Sequence, residues 1–100
     1  MANTELKQLP PPPAAIERGG NEILRAVIVD GGLQVSLQRA FDKPDVWGLL
    51  LADIARHVSR IYASEAGMSE AKTLQSVCEM FDSEMAKPTD TGTTQEMNRN

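Results

Sequence analysis

The sequence predicts an α+β domain, a β-hairpin followed by two amphipathic helices (ββαα). Asp30-Gly31-Gly32 is a tight-turn signal set between two strand-like runs, and apolar residues recur at helical spacing first over residues 44 to 66 and then over residues 70 to 87. The domain expected on these grounds is residues 21–87, between a flexible proline-rich tail over 1–20 and a disordered tail over 88–100.

In the hairpin, Glu22 to Val29 is rich in β-branched and aliphatic side chains, while Leu33 to Arg39 alternates apolar with polar. A two-residue Asp30-Gly31 turn sets Val29 opposite Gly32. The pairs Ile28/Leu33, Ala26/Val35 and Leu24/Leu37 then share one face, with Glu22 opposite Arg39. The other face carries Ile23, Arg25, Val27 and Val29 from the first strand but only Gln34, Ser36 and Gln38 from the second, so the first strand reads as apolar on both sides.

Phe41-Asp42-Lys43-Pro44-Asp45-Val46 reads as a helix start: Asp42 as cap, Pro44 in the first turn and Phe41 stapled onto Val46. The helix is expected to run to Ala66 and stop at Gly67 in a left-handed conformation. Trp47, Leu50, Leu51, Ile54, Val58, Ile61 and Tyr62 fall on one broad stripe, expected to face a core. Ser69 caps a second helix whose stripe is Leu74, Val77, Cys78, Phe81 and Met85, ended by Lys87-Pro88. The short connection predicts an antiparallel αα-hairpin with its stripes toward the sheet.

Composition narrows the function classes. A folding unit of about 65 residues has little core and is usually supplemented by disulfides, a metal or a partner. Cys78 is the single cysteine, and there is no Cys/His cluster for a metal, so association is the remaining route. The net charge is −4 and the ten Lys and Arg residues are scattered, which argues against nucleic acid. No apolar run is long enough for a bilayer, and the N-terminus carries no secretory pattern, so the expected location is cytoplasmic.

Few residues are candidates for chemistry. Asp53 precedes His57, the lone histidine, by one helical turn, as a carboxylate orienting a general base would. The plainer reading is a boundary network of Asp53, His57 and Arg60 around a half-buried imidazole, because no nucleophile or second acid completes a constellation. Trp47 beside Gly48 suits either a pocket wall or a core anchor over the hairpin. Cys78 reads as a buried structural thiol. Leu49 points away from the main stripe, either singly exposed or part of a second contact surface. Lys7 to Pro13 matches a basic polyproline-ligand pattern, although a plain spacer meets the same pattern. No catalytic residue, metal ligand or cofactor is assigned.

The stretch Phe41-Asp42-Lys43-Pro44-Asp45-Val46-Trp47-Gly48, continued by Leu51-Ala52-Asp53-Ile54-Ala55-Arg56-His57-Val58, resembles a small alphaproteobacterial family known as a domain of unknown function. The likeness covers roughly residues 20 to 86 and implies a bacterial cytoplasmic protein. It brings no functional residues with it.

A lone hairpin is marginal in water, so two chains are expected to join their hairpins into one sheet backed by helices. The resulting expectation is a homodimeric scaffold or regulatory module without catalysis, whose flexible ends reach protein partners. The alternative is a small-molecule binding protein or minor enzyme with a pocket near Trp47, Asp53 and His57.

Overall fold

The computed structural model describes residues 5–94. Its element order is α1 (Pro13–Arg18), β1 (Leu24–Val29), β2 (Gly32–Leu37), α2 (Asp45–Ala66) and α3 (Glu70–Ala86). The chain divides into two compact units, Met1–Asp42 and Lys43–Asn100.

In the first unit, β1 and β2 form a two-stranded antiparallel sheet. The register is the one expected: Val29 with Gly32, Ile28 with Leu33, Ala26 with Val35 and Leu24 with Leu37. Asp30 at φ 50° and Gly31 at φ 81° give the turn positive φ at both central residues, matching the right-handed twist of the flanking strands. Glu22 bonds to Arg25 and Gln38. Its carboxylate accepts from Arg25 Nη2 at 2.8 Å, and its carbonyl accepts from Gln38 Nε2 at 2.9 Å.

The short helix α1 lies inside the segment expected to be a tail. Pro13 occupies the first helical turn, where its fixed φ suits a helix start and its missing N–H would have no partner in any case. Ala14-Ala15-Ile16-Glu17-Arg18 then continues as helix, ending where Gly19 N–H donates to Ala15 O at 2.9 Å. None of its residues is buried.

In the second unit, α2 begins at Asp45 with Pro44 in the cap position and no side-chain cap bond, so Asp42 is not the cap. Its first turn closes instead through Val46 N–H to Lys43 O at 3.2 Å and Trp47 N–H to Pro44 O at 3.0 Å. The other end is as expected. Gly67 takes φ 66°, and its N–H and that of Met68 both return to Tyr62 O. Ser69 caps α3, its hydroxyl accepting from Lys72 N–H at 3.2 Å.

The α2 and α3 helices pack against each other, and the residues buried there are polar: Ser59 is 0% exposed and Thr73 is 7% exposed. Stepping around α2 at about 100° per residue puts Gly48, Ala52, Ala55, Ser59, Ala63 and Ala66 on one strip that adjoins the apolar stripe at Tyr62, and of these Ser59 is buried and Ala55 and Ala63 are half-buried. The stripe expected to face a core is only partly covered: Trp47, Leu50 and Val58 are half-buried, while Leu51, Ile54, Ile61 and Tyr62 are 40–50% exposed. No hydrophobic residue is buried among those described.

After α3 the chain carries no helix or strand through residue 94. Its first residues are nonetheless tied back, Thr89 donating from both N–H and Oγ1 to Glu84 Oε2 at 3.0 and 2.9 Å. The rest of the expected disordered tail, residues 95–100, lies outside the described residues, as do residues 1–4.

Candidate functional site

One turn of α2 separates Asp53 from His57, and another element partners the group that follows. Arg60 Nη1 lies 3.5 Å from His57 Nδ1, and Arg60 Nε lies 3.9 Å from Glu70 Oε2 on α3. No hydrogen bond joins Asp53 to His57, and Asp53, His57 and Arg60 are all exposed. The half-buried network expected there is thus an exposed Arg60 link between α2 and α3. Ion pairs with this exposure contribute about 0–1 kcal/mol, which makes the link a minor structural feature. Trp47 is half-buried near the start of α2.

The apolar residues of α3 divide in the same way as those of α2. Thr73, Leu74 and Val77 lie at the packed side, while Phe81 and Met85 are 51% and 71% exposed. Cys78 is free and exposed rather than buried. Among the described residues, no group of three or more His, Cys, Asp or Glu side chains is arranged to hold a metal ion.

Among the described residues, Trp47, Asp53 and His57 line neither of two open concavities. One, of about 470 Å³, lies on α3 around Lys72, Glu79 and Met80. The other, of about 710 Å³, is a groove with Glu5 to Leu9 on one side and Leu24 to Asp30 on the other. Consecutive β1 residues line it, so the groove follows the outer edge of that strand rather than either face.

The largest chemical feature is exposed apolar surface. On the hairpin, Ile28, Leu33, Val35 and Leu37 are 51–69% exposed on a single face. On the helices, Leu49, Ile61, Met80 and Phe81 are 50–66% exposed. Residues of this kind scattered singly are ordinary, but a whole sheet face of them is not.

Sequence periodicity located the apolar stripes but missed Ser59 and Thr73 as the packed residues. The signal for Ser59 was the run of Gly, Ala and Ser at helical spacing beside the apolar stripe of α2, and no such run marks Thr73.

This is an α+β domain of hairpin-then-helix-pair form. It belongs to the family described as Domain of unknown function (DUF5076), whose model matches residues 8–89. No curated protein matches the chain. A solved structure that is 45% identical, with a TM-score of 0.78, covers 96% of this chain and 100% of its own. Its description is "a putative pyruvate dehydrogenase from the photosynthetic bacterium Rhodopseudomonas palustrus CGA009".

Proposed function

We propose that this domain is a homo-oligomeric interaction module, a scaffold or regulatory element without catalysis, whose hydrophobic core is completed between copies of the chain. The observation carrying this reading is the absence of any buried hydrophobic residue among those described, together with apolar faces on both hairpin and helices. Burial of apolar surface is the main favourable term in folding, at about 25 cal/mol per Å², and a chain that buries so little alone has little to set against its conformational entropy. A second copy supplies the missing surface. The proline-rich start and the segment after Lys87 then extend from the assembled core toward protein partners. A cytoplasmic setting suits the free, exposed Cys78, which a reducing compartment keeps as a thiol.

An oxidative activity on pyruvate would rest on the description of the Rhodopseudomonas relative alone. Such a reaction needs a shielded site that holds a developing acyl carbanion, and the concavities here are open surface grooves. The interaction reading needs no such site.

Denaturant unfolding of the full chain over a concentration series tests the proposal. If folding and association are one event, the midpoint rises steadily with protein concentration. A cooperative transition whose midpoint is independent of concentration would refute it.

A further inference from the structure

The hairpin has two outer edges, and they are not equivalent. Along β1 the outer edge borders the groove shared with Glu5 to Leu9, and the strand carries Arg25. All six residues of β2 are exposed, and Gly32-Leu33-Gln34-Val35-Ser36-Leu37 contains no charged residue and no proline. Edge strands that must stay single are usually blunted by charge, proline or a bulge, and β2 has none of these.

The hydrogen-bonding phase of the hairpin fixes which backbone groups lie on that edge. Gln38 N–H donates to Ile23 O at 3.1 Å, so residues 23 and 38 are a hydrogen-bonded pair. In an antiparallel ladder such pairs alternate with non-bonded ones. Counting back through the register, Ser36, Gln34 and Gly32 point their N–H and C=O groups at β1, and Leu37, Val35 and Leu33 point theirs outward.

From this we infer that β2 is the seam of the homo-oligomer, pairing antiparallel with β2 of a second copy about a two-fold axis at Val35. The inference rests on the homo-oligomeric reading above and specifies its geometry. Centring on Val35 is the only antiparallel register that uses all three outward-facing residues on both strands: Val35 meets its own counterpart, and Leu33 of each strand meets Leu37 of the other. Directly opposed residues in a sheet project to the same face. The exposed apolar face of Leu24, Ala26, Ile28, Leu33, Val35 and Leu37 therefore continues across the seam as one four-stranded surface, while Gln34 meets Ser36 on the polar face. That continuous apolar surface is what a helix layer can cover.

Cysteine placement tests the seam in the full-length protein. In a Cys78→Ser background, Val35→Cys sets two thiols on directly paired residues about 5.5 Å apart between Cα atoms, within disulfide reach. Mild oxidation is expected to convert most of this variant to a covalent dimer on a non-reducing gel, with Ala26→Cys on the β1 edge remaining uncrosslinked. A second variant, Val35→Pro, removes an outward N–H, as well as fixing φ, without deleting a bond of the hairpin, so it is expected to raise the dissociation constant by about tenfold or more. Ala26→Pro is the matched change on the other edge and leaves association unaltered. A dimer that crosslinks through Ala26 and not Val35, or that tolerates Val35→Pro, overturns the seam while leaving the homo-oligomer standing. A chain that is monomeric before any substitution overturns both.

Discussion

Ser59 Oγ donates to the carbonyl of Ala55, one turn earlier on α2, at 2.9 Å. This bond lets a polar side chain be the most deeply buried one described, because the hydroxyl is satisfied within its own helix and asks nothing of α3. What α3 meets at that point is a small side chain.

Ser59→Ala keeps the size and removes only a hydroxyl whose partner, Ala55 O, is already held in the helix ladder, so stability at fixed protein concentration is expected to stay within about 1 kcal/mol. Ser59→Leu forces a large side chain into the same contact and is expected to cost about 1–3 kcal/mol. Urea unfolding of the two variants beside the parent reads the difference, and equal stability for both would show that the α2–α3 contact is not size-limited.

Thr73 is buried and its Oγ1 has no hydrogen-bond partner among the described residues. A buried hydroxyl left unpaired costs about 1–3 kcal/mol, so Thr73→Val, close in shape, is expected to be neutral or stabilising by about 1 kcal/mol. Loss of stability on this substitution, by the same unfolding measurement, would mean that the hydroxyl is satisfied in the folded protein.

The helix starts make a paired prediction. Ser69→Ala removes the cap bond to Lys72 N–H and is expected to cost about 1 kcal/mol. Asp42→Ala removes no cap from α2, and its effect is expected to stay within about 0.5 kcal/mol. Thermal unfolding that ranked them the other way would return the capping role to Asp42.

The contrast between Ser69 and Asp42 shows how far the sequence could be read. Ser69 stands directly before its helix, with Glu70 in the first turn, and nothing competes for the cap position. Between Asp42 and α2 stand Lys43 and Pro44, and the backbone closes the first turn through carbonyls that a sequence pattern does not reveal. The hairpin register was legible because Asp30-Gly31 admits one tight turn and alternation admits one set of faces. α1 was not, since a proline run that looks like an extended spacer also ends in a proline well suited to start a helix. Periodicity found the apolar stripe of α2 through Ile54 and Ile61. It could not say what covers that stripe, because apolar spacing looks the same whether the partner is in the same chain or another.

His57 was the most natural candidate for chemistry by residue type, but it is exposed, contacts Arg60 and has no hydrogen bond to Asp53. His57→Ala is expected to change stability by no more than about 0.5 kcal/mol and to leave association unchanged. A drop in oligomer stability tenfold larger in equilibrium constant than in the parent, about 1.4 kcal/mol, would place His57 in an interface.

Multi-angle light scattering of the full-length chain across a dilution series bears most directly on the account that copies of this chain complete one another's core. The predicted result is a folded species with at least twice the 10.9 kDa chain mass, losing helical signal as it dissociates. A species of 10.9 kDa that keeps its helical signal and unfolds cooperatively at the lowest concentrations would contradict the account.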